Sequence, residues 1–335
     1  MDTTRVLMNG RFRSYVLPLV VLCFLVLFLF ISGSCASLNN TPASGKIPVV
    51  FDTDIGDDID DTWALALLLR SPEFDVKLIT TAVGDTTTKA KVVAKMLETA
   101  GRTDIPIGIG PATEKTKFRQ KEWVKDYDLS RYPGTIYQDG AKALVDTIMN
   151  SKQRLKLIAV GPLPTVAAAL KREPQIAQRV DFIGMHGSIR KGYRGKDRAD
   201  PEYNVVKFVQ AAQNVFTAPW PMTITPLDTC GIVSLKDQKY QKVFNSELPV
   251  TKALIECYRI WANGRPIDKE SSTLFDTVAI YLALSTNFLV METLPIKVTD
   301  NGLTVIDENA KKMDCATEWK YLGAFEDFLV QRLTK

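Results

Sequence analysis

Histidine is almost missing from this chain of 335 residues: His186 is the only one. A histidine-rich metal centre, or a nucleophilic triad built on histidine, would have to rest on that residue alone. Cysteine is also sparse. The five cysteines, at 23, 35, 230, 257 and 315, form no C-x-x-C pair, which argues against a thiolate zinc site. Nor is there a surplus of positive charge. Forty-two Lys and Arg face 38 Asp and Glu, a net +4, and Arg5, Arg11 and Arg13 against Asp2 place half of that excess in the first 36 residues. The near-neutral remainder has no basic excess to bind a phosphate backbone, so nucleic acid is not an expected partner. There is no internal repeat and no low-complexity tract after residue 46. A content of 46% apolar and 24% charged residues excludes a disordered, collagenous or coiled-coil chain. The length allows two domains of roughly 150 residues or one large α/β domain.

What is present begins with a label. Residues 15–31 (YVLPLVVLCFLVLFLFI) are 17 positions without a charge, preceded by three arginines and followed by Ser32-Gly33-Ser34-Cys35-Ala36. Basic region, apolar region and small-residue site are the order of a secretory signal. Three outcomes stay open: cleavage after Ala36, cleavage before Cys35 with lipid on its sulfur, or an uncleaved membrane anchor. For a bacterial source each puts the folded part outside the cytoplasm, in the periplasm or beyond, and confines any membrane contact to this segment. Residues 1–36 are therefore expected to be a signal peptide or anchor. Residues 37–46 (SLNNTPASGK) read as a flexible linker, and 47–335 as the folded domain. With Cys23 and Cys35 set aside, three cysteines remain, an odd number that argues against a disulfide scaffold.

From Lys46 the pattern alternates short apolar runs with helical stretches. Strand signals fall at 47–52, 76–83, 105–110, 155–160, 180–185 and 221–227. Helical signals fall at 61–70, 86–100, 141–149, 163–171, 205–216, 247–263, 273–284 and 321–333. Residues 111–137 show no period and read as a long loop, and 187–203 as a charged, glycine-containing one. This β-α order predicts an α/β, Rossmann-like fold, with a mostly parallel sheet and helices on both faces. Ligands in such sheets bind at the carboxyl ends of the strands.

The end of the first strand is the richest segment. VFDTDIGDDIDDTWAL (50–65) puts six carboxylates, Asp52, Asp54, Asp57, Asp58, Asp60 and Asp61, within ten residues. One or two could cap the following helix and complement its dipole, which accounts for Asp58 and Asp60 but not for Asp52 and Asp54. Anions this close repel, and burying them unpaired is costly. A bound divalent cation would resolve the repulsion, and ligation by carboxylates alone points to a hard ion, Ca²⁺ or Mg²⁺.

DTDIGDDIDDTWAL resembles the aspartate signature of the inosine–uridine-preferring nucleoside hydrolases, D-x-D-x-G-x-D-D-x-x-A, with two extra residues before the final Asp pair. LITTAVGDTT (78–87) is similar to that family's second strand and turn, AVGPLPTVAAAL (159–170) to its G-P-L-T-N-I-A segment, PEYN (201–204) to its E-F-N, and LFDTVAIYLAL (274–284) to its H-D-x-x-A helix. All five blocks occur in family order over 47–285. The resemblance implies hydrolysis of the N-glycosidic bond of ribonucleosides with a bound Ca²⁺. Matching positions give Asp54, Asp61, the backbone carbonyl of Val160 and Asp276 as metal ligands. Asp54 is also the implied general base for a calcium-bound water. Asp60, Asp85, Glu202, Asn204 and Asp276 match positions that hold the ribose, and Asp52 one behind the site. A homo-oligomer is implied as well.

Three departures bear on this. Asp85 stands where the family has Asn. The two-residue insertion leaves open whether Asp57, Asp58 or Asp60 fills the ribose position. Phe275 precedes Asp276 where many members carry His as the acid for the leaving base. Phe275 either stacks on the base, with Trp261 or Trp220, or is a helix core residue. His186 either donates a proton or is structural. Two rivals remain beside the hydrolase: a haloacid dehalogenase-type phosphatase, whose first motif FDTDIG also satisfies, and a secreted, non-catalytic nucleoside- or sugar-binding protein of the same fold.

Overall fold

The structure is a computed structural model and describes residues 45–335. The signal or anchor expected at 1–36, and the linker up to residue 44, lie outside the described residues. Among the described residues no helix is long and apolar enough to cross a membrane.

The chain from Lys46 onward winds twice around a central strand. In the first half, β1 (Ile47–Thr53), α1 (Asp60–Leu69), β2 (Phe74–Thr81), α2 (Thr86–Thr99), β3 (Ile107–Ile109) and β4 (Ile136–Tyr137) follow in order. Then come α3 (Gly140–Asn150), β5 (Leu155–Ala159), α4 (Pro164–Arg172), β6 (Val180–Met185), α5 (Tyr203–Val206), α6 (Val209–Thr217) and β7 (Met222–Thr225). A helical stretch, α7 (Leu227–Cys230), α8 (Asp237–Phe244), α9 (Pro249–Ala262) and α10 (Thr277–Leu282), leads to β8 (Leu289–Val298), β9 (Thr304–Ile306), β10 (Lys312–Trp319) and α11 (Leu322–Thr334). The ten strands form one sheet in the order β4-β3-β2-β1-β5-β6-β7-β10-β8-β9.

All neighbours from β4 to β10 are parallel, as the sequence pattern predicts. Beyond them, β8 pairs antiparallel with β10 and with β9. This antiparallel edge has no counterpart in the predicted elements. Exposed charges stand along β8 and β10 at Lys297, Lys312, Asp314 and Glu318, and Pro295 lies within β8. Alternate strand residues face two separate apolar cores: Val49 and Phe51 of β1 pack in one, Val50 in the other. Helices α1, α2 and α9 cover the first and α3, α4 and α6 the second, so both faces are covered. Helix α1 is buried from Asp60 through Leu68 on every side, the mark of a helix lodged inside the core.

The sheet reverses its winding between β1 and β5. Chain order runs outward from β1 to β4 and then returns to β5 on the other flank of β1. A crevice opens at such a switch point, at the carboxyl ends of the two strands. Those ends are Asp52-Thr53-Asp54 on β1 and Ala159-Val160-Gly161 on β5, locked in register by Asp52↔Ala159.

Candidate active site

The crevice at the switch point is a cavity of about 250 Å³. Its lining comes from segments distant in sequence: Asp54 to Asp61 from the first turn, Val160 after β5, Met185 from β6, Glu202 and Asn204 from α5, and Phe275 with Asp276 before α10.

Each carboxylate is held by a definable local structure. Asp52 is buried under the floor, where Thr80 of β2 donates to its Oδ1. Thr53 Oγ1 donates to Asp61. The chain then turns at Gly56, whose φ of 107° and contact with Phe118 leave no room for a side chain: a Cβ there would lie 2.1 Å from the ring. Asp60 and Asp61 occupy the first turn of α1, where the helix dipole favours anions. Asp276 sits at the N-cap of α10 but makes no capping hydrogen bond. Its carboxylate turns instead toward α1: oxygens of Asp60, Asp61 and Asp276 lie within 4.8 Å of one another, and all three residues are buried.

Burial and mutual repulsion push the Asp60, Asp61 and Asp276 carboxyls well above the usual carboxylate range. Burial also pushes Asp54 up to about 7, against the attraction of Lys89. Lys89, the buried cation of the neighbourhood, is already engaged. Its Nζ donates to the Asp54 carbonyl at 2.6 Å and pairs with Asp57 at 2.9 Å. The three converging carboxylates thus have oxygen donors only and no protein cation of their own, which fits a hard divalent ion.

The opposite wall is organised by α5. Glu202 accepts hydrogen bonds from the backbone N–H groups of Gly187, Asn204 and Val205 at 2.7 to 3.2 Å, yet burial still pushes its carboxyl up to about 7. Asn204 Nδ2 donates to the Val160 carbonyl at 2.8 Å and to the Met185 carbonyl at 3.0 Å. Gly161 is required here for space, because a Cβ would come within 2.5 Å of Asp54 Oδ1 and 2.8 Å of its backbone nitrogen.

Of the residues singled out in the sequence, Asp54, Asp60, Asp61, Val160, Glu202, Asn204, Phe275 and Asp276 all line this one cavity. Asp60 rather than Asp54 joins Asp61 and Asp276 in the converging triad. Asp85 lies elsewhere. It is exposed at the N-terminus of α2, where it accepts from the backbone N–H of Thr88 at 3.0 Å and from its hydroxyl at 2.6 Å. Its side chain caps a helix and does not line the cavity. His186 is fully buried between Phe182 and Phe216, with Nε2 3.0 Å from the Gly161 carbonyl. Burial holds its pKa down to about 4, so it is neutral and structural, not a donor facing the cavity. Trp220 stacks on Phe182 in the core and takes no part. Phe275 is half-buried at the cavity wall, with Tyr193 packed edge-to-face on it at 6.0 Å.

Tyr193, Tyr203, Met185, Lys117 and Arg119 line the cavity without having been singled out. They come mostly from 111–137 and 187–203, the two aperiodic loops. The first of these is tied to the acidic turn: Gln120, fully buried, donates to the Asp58 carbonyl at 2.8 Å and accepts from Thr62 at 2.9 Å. The one available signal was a glutamine and aromatic residues amid an otherwise charged loop.

The family model for inosine–uridine preferring nucleoside hydrolases matches residues 49–323. The chain belongs to that family. Among its relatives is the probable uridine nucleosidase 2 of Arabidopsis thaliana, 27% identical over 81% of this chain and 89% of the relative. Another is the pyrimidine-specific ribonucleoside hydrolase RihA of Photobacterium profundum, 26% identical over 70% of this chain and 78% of the relative. Among solved structures, a plant nucleoside hydrolase superposes with a TM-score of 0.72 at 22% identity, over 86% of this chain and 99% of the other. The nucleoside hydrolase fold is thereby shared. This nucleoside hydrolase is an N-glycosyl hydrolase whose substrates are ribonucleosides by family. The haloacid dehalogenase alternative falls, because the nucleoside hydrolase family model matches residues 49–323, a span that includes the D-x-D of FDTDIG from Asp52 to Asp54.

Proposed function

We propose that the protein, exported by its first 36 residues, hydrolyses the N-glycosidic bond of ribonucleosides with Ca²⁺ held by Asp60, Asp61 and Asp276, completed by Asp54 and the Val160 carbonyl. The reading is carried by the convergence of Asp60, Asp61 and Asp276 in the same cavity as Asp54. When bound, the ion supplies acidification and positioning of the attacking water.

The chain's own residues do the rest. Asp54, held from behind by Lys89, accepts the proton of the attacking water. The acidic floor stabilises positive charge on the ribose ring as it becomes oxocarbenium-like. Asp276 and Asp60 hold ribose hydroxyls, a contact that selects ribose over deoxyribose. The hydroxyl of water ends on C1′, the electron pair of the C1′–N bond leaves with the base, and the base takes its proton from solvent. Phe275 and Tyr193 present aromatic surface to that base. With Phe275 in place of an acid, hydrolysis of poor leaving groups is slower by about 10²–10⁴-fold than in a site that has one.

The test is ribose release from a panel of ribonucleosides by residues 37–335, with calcium and after chelation. The expected result is release that chelation abolishes and calcium restores. Binding without release across the panel would favour a nucleoside-binding protein.

A further inference from the structure

Beside the ribose floor lies a second cavity of about 810 Å³, which shares Asp58, Tyr193 and Phe275 with the first as lining. The two chambers have opposite character. The floor is carboxylate. The outer chamber is aromatic and cationic, lined by Trp261, Tyr258, Arg194 and Arg265. Arg265 lies over the Trp261 ring at 4.3 Å, and Arg119, from the rim of the inner chamber, faces the same ring at 5.6 Å. The Trp261 indole N–H is buried with no acceptor among the described residues.

Arg194 and Arg265 are exposed at this mouth, and other charged groups around them have partners of their own. Lys196 is paired with Asp200 at 3.4 Å, and the outer chamber's Glu270 with Lys236 at 3.6 Å. No carboxylate oxygen among the described residues lies within 4.0 Å of Arg119, Arg194 or Arg265. Asp58 acts on Arg119 and Arg265 only at longer range and belongs to the acidic turn. Arg194 is held in a left-handed backbone conformation (φ 60°, ψ 28°), a strained state for a residue with a side chain.

We infer that the outer chamber is an anion subsite, and that the preferred substrates are ribosides bearing a negatively charged substituent, either a carboxylate on the base or a phosphate on the sugar. This rests on the hydrolase reading above. The polarity fixes the orientation. An anion cannot lie on the carboxylate floor, so the sugar diol goes inward and the charged end outward, between guanidinium groups and an aromatic face suited to a planar ligand.

The experiment compares kcat/KM for uridine, orotidine and uridine 5′-phosphate at low ionic strength, in the wild type and in an Arg194→Met/Arg265→Met variant. Equilibrium binding of the same three ligands to Asp54→Asn is measured by calorimetry. At least one anionic riboside should exceed uridine by about tenfold, the size of one charge-assisted contact. That ratio should fall to about one in the double variant and shrink in 0.5 M salt. A gain for orotidine alone assigns the charge to the base, and one for uridine 5′-phosphate alone assigns it to the sugar. Uridine equal to or better than both, in rate and in binding, overturns the inference while leaving the hydrolase reading intact. So does an advantage that survives in the double variant. If none of the three is hydrolysed, the calorimetric ratio still decides the anion subsite, and the ribonucleoside panel above decides the hydrolase reading.

Discussion

At the scale of single residues, the site depends on carboxylates whose roles differ by environment. Asp54 has its backbone carbonyl fixed by Lys89, and in the metal-free protein burial raises its carboxyl to about 7; a dication beside it would lower that value and keep the carboxylate ready to accept a proton. Asp54→Asn keeps the shape and removes the base. It should lower kcat by about 10²–10⁴-fold while the metal-free protein melts no earlier than the wild type, because one buried charge is gone. Gly161→Ala tests the positioning of the same carboxylate. The new Cβ would meet Asp54 Oδ1 at 2.5 Å and the rigid Asp54 backbone nitrogen at 2.8 Å, so the carboxylate has to move. A displacement near 1 Å costs about 10²-fold in rate, and steady-state kinetics should show that loss mainly in kcat. The acidic turn was legible in the sequence because six carboxylates in ten residues have no satisfactory explanation as surface. Asp85 was not, because an aspartate after glycine reads equally well as a ligand or as the helix cap that it is. His186 carried no sequence signal of its burial.

At the scale of elements, the parallel strands and the longer helices could be read because burial on both faces leaves continuous apolar runs. The expected helix over 205–216 is instead two. Phe208 leaves the helical conformation between α5 and α6, which frees α5 to direct Asn204 at Val160. The antiparallel edge β8–β10 was hidden because edge strands mix exposed charges into their pattern. The two lining loops have no period at all, and their contribution rests on tertiary bonds. Gln120 is the clearest case. Gln120→Ala removes the bonds to Thr62 and to the Asp58 carbonyl, which should cost about 1–3 kcal/mol in stability. Proteolysis within 111–137 should speed up, and KM should rise more than kcat falls. An unchanged cleavage pattern would show that the loop is held by other contacts.

At the scale of the whole molecule, the fold brings α1 and the N-terminus of α10 together across some 215 residues of chain to converge on one point, and the cost is a buried cluster of like charges. The sign of its pH dependence follows. The folded-state pKa values of Asp52, Asp54 and Glu202 are raised to about 7 from ordinary values of 3.8 to 4.5. Their contribution to stability is therefore complete at low pH and lost as pH rises through about 7. Metal-free protein should melt at progressively lower temperature between pH 5 and pH 8. Added calcium should offset the part of the loss that belongs to Asp54 and to the Asp60, Asp61 and Asp276 cluster, with a stabilisation that grows over the same interval as protons cease to compete. A calcium-induced shift independent of pH would separate the ion from these carboxylates.

The most direct measurement is calcium titration by calorimetry at pH 7.5 on the wild type, Asp61→Asn and Asp276→Asn. One ion bound per chain in the wild type, with affinity reduced at least tenfold in each variant, is the predicted result. No uptake by the wild type, or uptake that neither substitution weakens, would contradict a metal centre formed by Asp60, Asp61 and Asp276.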